Sequence, residues 1–255
     1  MKLGDFTELA KDYSTSRPDY SLSVLRALLG HINLPKDTIQ VVDVGAGTGI
    51  WTRMVSDIGI KNITAIEPNN QMLKHGAAHP NNNNINWLHG NAENTTLESE
   101  KYDWVTMASS FHWANFDVAI GEFARILKPN GKFTALWNPR FLKNSPILME
   151  IESKLSEIKP NISRVSSGNS SFTTNLTERL ETHAKFKNVV YIEGKHRISM
   201  SPERYISAWK SVNDLQSQLG SDGFSEFLQF VTEKVIDLDK IEADYITRSW
   251  TVTKC

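Results

Sequence analysis

An open α/β sheet is the fold class this sequence predicts, and three observations carry it. Short apolar runs rich in β-branched residues recur along the first half of the chain, segments with helical spacing separate them, and the first run breaks at once into glycines. Residues 39–44, I-Q-V-V-D-V, read as a strand, Gly45, Gly47 and Gly49 follow, and residues 51–58 have the spacing of a helix. Only residues without a Cβ let a backbone reverse this tightly and still leave room for a ligand, while the free N–H groups of the new helix favour a polar or anionic group. The spacing is G-x-G-x-G rather than G-x-G-x-x-G, which weakens a pyrophosphate reading. Asp43 either braces the turn through backbone N–H groups or touches the ligand, and both roles stay open.

Ahead of that strand, residues 6–13 suit a short helix, Pro18 forces Arg17 into an extended or turn conformation, and residues 21–29 read as an amphipathic helix ending at Gly30. Tyr13 and Arg17 therefore sit beside a loop before the first strand. Residues 62–66 form the second strand, with Glu67 at its carboxyl end. A helix over 71–78, a loop at the asparagine run 81–84 and a strand over 85–89 come next, and a turn at Gly90 places Asn91, Ala92 and Glu93 at a third strand end. The fourth strand, 102–108, emerges at S-S-F-H-W, residues 109–113. A helix over 116–127 is stopped by K-P-N-G, and the strand 132–137 carries Asn138 and Arg140 beyond its end. After Arg140 the alternation becomes irregular: helices at 147–158 and 176–183 with a polar loop at 164–171 between them, an extended run at 188–200, helices at 202–219 and 224–238, and a last strand at 245–252. The expected organisation is one domain over 1–255, with N-terminal cap helices in 1–35, a core in 36–140, and helical lid inserts with the final two strands in 141–255.

Composition narrows the partners. Hydrophobic residues make up 40% and charged residues 22% of 255 residues, enough to bury a sizeable core. A net charge of −1 gives no bulk attraction to nucleic acid or to an anionic membrane. The single cysteine, Cys255, excludes an intrachain disulfide and a cysteine metal cluster. No run approaches the roughly eighteen apolar residues of a membrane span, and acidic residues interrupt the N-terminal segment where a signal core would lie. The expectation is a cytoplasmic protein that engages neither nucleic acid nor membrane and holds no metal.

Ligands of open α/β sheets lie outside the carboxyl ends of the strands, where strand order reverses. An acid at the position of Glu67 can accept both hydroxyls of a ribose, and Asn91 with Ala92 suits the edge and face of a planar base. Residues 109–113 fall at the centre. His112 has a suitable ordinary pKa for base work and either takes a proton or orders its loop by donating a hydrogen bond.

With these residues in place, the chain resembles the class I S-adenosylmethionine-dependent methyltransferases, especially the small-molecule branch that includes trans-aconitate methyltransferase-like and type 11 proteins. V-V-D-V-G-A-G-T-G is similar to their first motif, A-I-E-P to the second, H-G-N-A-E to the third, and A-R-I-L-K-P-N-G-K-F to the segment before strand five. The match is good over residues 6–140 and loose beyond. It implies a Rossmann-like seven-stranded sheet of order 3-2-1-4-5-7-6, with the last strand antiparallel, and S-adenosyl-L-methionine as cofactor. It further implies cofactor contacts at Asp43, Gly45, Ala46, Gly47, Thr48 and Gly49, at Glu67, Pro68 and Met72, at Asn91, Ala92 and Glu93, and at Ser109, Ser110 and Phe111. The family often has aspartate where Asn91 stands, although the amide oxygen can still accept a bond. Y-S-T-S-R-P-D-Y is similar to an N-terminal element that closes over the cofactor, which assigns Arg17 to the methionine carboxylate and Tyr13 to the methyl end.

These readings combine into a methyltransferase acting on an oxygen or nitrogen of a small molecule. Tyr13 and His112 are the expected catalytic groups, and Trp113, Trp137, Asn138 and Arg140 the expected acceptor-binding ones. Arg140 also motivates a carboxyl O-methyltransferase. A nicotinamide-dependent oxidoreductase and a cofactor-binding protein that transfers nothing remain as readings from other classes. The oligomeric state is not read from the sequence.

Overall fold

The computed structural model describes residues 3–82, 84–164 and 168–255. A 3-10 turn, Thr7–Leu9, runs into helix α1 (Ala10–Ser16), and α2 (Leu22–Ile32) leads to strand β1 (Gln40–Val44). Then come α3 (Ile50–Asp57), β2 (Asn62–Glu67), α4 (Asn70–Ala77), β3 (Ile85–His89), β4 (Tyr102–Ala108), α5 (Phe116–Ile126) and β5 (Leu127–Trp137). The second half holds α6 (Pro146–Ile158), two short helices α7 (Ser171–Thr174) and α8 (Leu176–Glu181), β6 (Phe186–Met200), α9 (Pro202–Lys210), α10 (Asn213–Val235) and β7 (Ile241–Lys254).

The seven strands form one sheet in the order β3-β2-β1-β4-β5-β7-β6, as expected. β1 to β5 pair parallel, and β7 runs antiparallel between β5 and β6. Because β1 has neighbours leading outward in both directions, the tips of β1 and β4 meet where the winding reverses, and a crevice opens there.

Helix starts follow local capping chemistry. Ser21, Asn69, Asn115, Ser145 and Ser201 each accept a backbone N–H of the first turn they precede, and proline stands at the start of α6 and α9, where its missing N–H costs nothing. The apolar faces of α2 and α3 cover one side of the sheet, with Leu25, Leu28 and Trp51 against Val41 and Trp104. α5 and α8 cover the other, where Phe111, Phe123 and Phe133 interlock. A third cluster joins α6, α9 and α10 to the far ends of β6 and β7, and its centre is Trp209, 5.0 Å from Phe227 and edge-on. Full burial of each such side chain contributes about 1.5–3 kcal/mol, so α6, α9 and α10 carry a core of their own.

Three expectations need correction. α2 does not stop at Gly30 but continues to Ile32, and Asn33 supplies the left-handed residue (φ 54°) that ends it. Asparagine tolerates that conformation because its short side chain can bond locally. The helix foreseen over 202–219 is two helices, since the chain turns at Ser211 and Val212. The helix foreseen from residue 224 begins earlier: α10 includes a break at Gly220, whose φ of 69° and ψ of −176° no side-chain-bearing residue adopts readily. Residue 83 of the asparagine loop and residues 165–167 of the polar loop lie outside the described residues. Among the described residues, no helix is long and apolar enough to cross a membrane.

Candidate active site

One cavity of about 560 Å³ opens at the strand tips and runs from Glu67 to Arg140, a size typical of small-molecule sites. Its two ends are built differently.

At one end the glycine turn does what its sequence requires. Gly45 and Gly47 have φ of 66° and 60°, and a Cβ on Gly45 would fall 2.8 Å from the Cβ and Oγ of Ser110. The Gly47 N–H donates to Glu67 Oε2 at 2.7 Å and the Asn69 N–H to Oε1 at 2.8 Å, so both carboxylate oxygens are held in place from behind. Each keeps a further lone pair. Glu67 is only 6% exposed yet lines the cavity, and burial pushes its carboxyl above its ordinary value against the pull of the two backbone donors. Pro68, Met72, Asn91, Ala92 and Glu93 continue the wall. The Asn91 amide oxygen already accepts the Asn94 N–H at 2.8 Å, and Glu93 Oε1 accepts the Asn115 N–H at 2.6 Å, so both side chains also fasten their own loop.

In the middle, Ser109 sits in a left-handed conformation (φ 54°) and its Oγ shares a 2.8 Å hydrogen bond with Tyr20 Oη. Ser110 Oγ donates to the Val44 carbonyl at 3.2 Å, tying the tip of β4 to that of β1. Burial raises the Tyr20 phenol, and raises Tyr13 despite the neighbouring Arg17. The Arg17 guanidinium lies 4.9 Å from the Tyr13 ring centre and donates to Oγ and the carbonyl of Ser211 at 2.7 and 3.0 Å. These contacts clamp the N-terminal cap to the turn after α9. Asp12 and Ser207, 2.9 Å apart, and the bonds of Arg204 to the carbonyls of Ser16 and Arg17 complete the clamp.

At the other end, Trp113 stands at the mouth with its ring 6.1 Å from Phe6. Asn138 lines the cavity, but its amide is used in bonds to the Asp19 carbonyl and Thr247 Oγ1. Arg140 lies 3.8 Å over the Trp209 ring and 4.0 Å from Glu152, whose closer partner is Arg164 at 2.7 Å.

Of the expected site residues, Tyr13, Arg17, Gly45, Ala46, Gly47, Glu67, Pro68, Met72, Asn91, Ala92, Glu93, Ser109, Ser110, Trp113, Asn138 and Arg140 meet in this cavity. Six do not. Asp43 is buried behind the turn, where it accepts the hydroxyls of Thr52 and Thr106 at 2.6 and 2.9 Å, which is neither of the roles expected; burial pushes it up to about 7. Thr48 and Gly49 form the underside of the turn, and a Cβ on Gly49 would meet Trp87 and Arg53 at 2.9 Å, so this glycine serves packing. Phe111 is fully buried in the aromatic core. Trp137, 1% exposed, packs on Trp250 and Phe172, and its indole N–H donates to His112 Nδ1 at 3.2 Å. His112 therefore lies behind the wall. With Nδ1 accepting, the neutral ring carries its proton on Nε2, and burial lowers its pKa to about 4.

Sequence reasoning missed Tyr20, Glu152, Arg164, Asn213 and Tyr245 as cavity residues. Tyr20 had a signal, since it is the last residue of Y-S-T-S-R-P-D-Y. The others come from the irregular second half and carry none.

This fold and these strand tips resemble those of the class I S-adenosylmethionine-dependent methyltransferases. Residues 42–135, running from β1 to β5, match the sequence model of a family described as methyltransferase domain. An uncharacterized methyltransferase of Schizosaccharomyces pombe is 33% identical over 134 residues, which cover 52% of each chain. An uncharacterized methyltransferase of Mycobacterium bovis is 34% identical over 129 residues, covering 50% of this chain and 49% of the other. The chain thus spans about half the length of the curated relatives it matches. Among solved structures, a candidate type II methyltransferase of Anaeromyxobacter dehalogenans aligns with a TM-score of 0.65 at 16% identity over 92% of this chain and 97% of that one. A candidate methyltransferase from an antibiotic biosynthesis pathway of Anabaena variabilis aligns with a TM-score of 0.63 at 20% identity over 92% and 98%. These two share the fold.

The residues present fit S-adenosylmethionine. Glu67 is a fixed double acceptor suited to a ribose, Met72 and Ala92 offer apolar contact to a base, the missing Cβ atoms of Gly45 and Gly47 leave the turn open, and Arg17 supplies a cation.

Proposed function

We propose that this protein transfers the methyl group of S-adenosylmethionine to an oxygen or nitrogen atom of a small molecule. The observation that carries this reading is the continuity of the cavity: the fixed double acceptor Glu67 and the aromatic and cationic end at Trp113 and Arg140 line one space. When bound, S-adenosylmethionine supplies an electrophilic methyl on a sulfonium. The chain's own task is orientation and exclusion of water, and holding two reactants in line contributes on the order of 7–11 kcal/mol in favourable cases. The cap residues Phe6, Tyr13 and Arg17 close the space from above, and Tyr20 with Ser109 fixes the central wall.

Proton removal is absent from this scheme for a structural reason. Among the described residues lining the cavity there is no histidine or lysine, and the three carboxylates, Glu67, Glu93 and Glu152, are each held by a donor. An acceptor that arrives with a free lone pair, such as a carboxylate or a neutral amine, suits this wall better than an alcohol, and this favours the carboxyl O-methylation reading as the second one.

Methyl transfer from isotopically labelled S-adenosylmethionine across a panel of carboxylic acids, amines and alcohols tests the proposal. Labelled product from at least one acid or amine is expected. Tight binding of S-adenosylhomocysteine with no labelled product from any class would instead indicate a protein that binds the cofactor and transfers nothing.

A further inference from the structure

The end of the cavity distant from Glu67 is lined by Arg140, Glu152 and Arg164. Arg140 extends from just beyond β5 into the third hydrophobic cluster, where Trp209, Tyr205 and Tyr245 surround it. Its side chain is only 12% exposed, and its Nε is buried without a hydrogen-bond partner. Glu152 lies 4.0 Å from Arg140 and 2.7 Å from Arg164, so the nearer bond goes to Arg164 while Arg140 is left with the longer ion pair and the neighbouring Tyr245 hydroxyl. Glu152 thus lies between two guanidinium groups at a site that opens into the cavity.

A buried cation without a close counter-ion is costly, and the cost is recovered when an anion with matching geometry arrives. The planar guanidinium stacked on an indole is also preorganised, because the ring fixes its plane before a ligand binds. We propose that Arg140, stacked on Trp209, is the specificity-determining residue for an acceptor molecule that carries an oxyanion, seating that group at the end of the cavity away from Glu67. The proposal rests on the methyltransferase reading and adds the substrate class to it. The shared chemistry is a carboxylate or a phosphate monoester, both of which a guanidinium binds with two parallel N–H bonds.

The arrangement makes an unusual sign prediction. A carboxylate 4.0 Å from Arg140 repels an incoming anion, so neutralising Glu152 should not weaken oxyanion binding, whereas neutralising Arg140 should. The test is calorimetry on the full chain saturated with S-adenosylhomocysteine, titrated with matched series of carboxylic acids, phosphate monoesters and the neutral primary amides of the same acids. At least one acid or phosphate ester is expected to bind about tenfold or more tightly than its neutral counterpart. Arg140→Gln should lose that preference while keeping its affinity for S-adenosylhomocysteine, and Glu152→Gln should bind the same anion at least as tightly as the unaltered chain. The acid and phosphate arms separate the two sources of the oxyanion. Amides that bind as well as every anion, an Arg140→Gln chain that keeps the preference, or a Glu152→Gln chain that loses it as Arg140→Gln does would each overturn the proposal. Failure of the unaltered chain to bind S-adenosylhomocysteine at all would instead bring down the methyltransferase reading on which it rests.

Discussion

The two ends of the cavity are made by opposite means. At the Glu67 end, the wall comes from the tips of β1, β2, β3 and β4 in chain order, and backbone geometry does the positioning: positive φ at Gly45 and Gly47 and two N–H donors behind Glu67. At the Arg140 end, the wall is assembled from the N-terminal cap, α6, the start of α10 and β7, and side chains do the positioning through contacts such as Arg17 with Ser211 and Asn138 with Thr247. A ligand shared by many enzymes can be held by backbone, which substitution rarely disturbs. A ligand particular to one enzyme is read by side chains on helices that can be exchanged without disturbing the sheet.

Changes at the backbone-built end should have the largest effects. Gly45→Val places a β-branched residue at φ 66° and drives its Cβ to within 2.8 Å of Ser110. Affinity for S-adenosylhomocysteine by calorimetry is expected to fall about a hundredfold or more, since left-handed strain of about 1–2 kcal/mol adds to the clash. A loss smaller than about tenfold would show that the turn is not part of the binding surface.

Glu67→Gln tests the same end more finely. One of the two oxygens available to accept a ribose hydroxyl becomes an amide nitrogen, and bonds to a charged partner contribute about 1.5–3 kcal/mol, so the affinity should fall roughly tenfold to a hundredfold with the fold intact by circular dichroism. Equal weakening by Arg140→Gln would break the contrast, because it would mean that both ends bind the cofactor.

Tyr20 stands at the junction, and Tyr20→Phe removes only its hydrogen bond to Ser109. A loss of about 1 kcal/mol is expected, read as a fall of roughly 2–4 °C in Tm. An unchanged Tm together with unchanged turnover would remove this bond from both halves.

A separate test concerns His112, which belongs to neither end. Its pKa in the folded chain lies near 4, below the ordinary 6.5. A depressed histidine contributes stability that is present above pH 6.5 and lost as pH falls toward 4, because the unfolded chain then binds the extra proton. The Tm of the unaltered chain should therefore drop more steeply between pH 6.5 and 4 than that of His112→Gln. Turnover above pH 7 should change little in this variant, and a collapse of turnover would return the ring to the chemistry.

Asp43 contributes with the opposite sign. Its carboxyl is raised from 3.8 to about 7 by burial, so its contribution is full below pH 3.8 and lost as pH rises toward 7. The two groups therefore oppose each other over the same range.

Legibility followed this division between the ends. Gly45, Gly47, Glu67 and Ala92 were readable because strand tips and glycine turns are local: a few consecutive residues fix where they lie once the strand is known. Asp43, Phe111, His112 and Trp137 were misassigned although each is near a strand tip, because sequence position gives proximity to the site but not which face a side chain takes. Trp137 ends β5 pointing into the aromatic core and draws His112 with it.

The sequence by itself determined the sheet, its turn and the acid that faces the cavity, since alternation of apolar runs and absent side chains are properties of neighbouring residues. Tertiary structure alone decided that Arg140, Glu152, Arg164 and Tyr245 meet. They come from separate elements of the chain's second half, and their encounter depends on how α6, α9 and α10 pack around Trp209. Packing of that kind leaves no periodic trace along the chain.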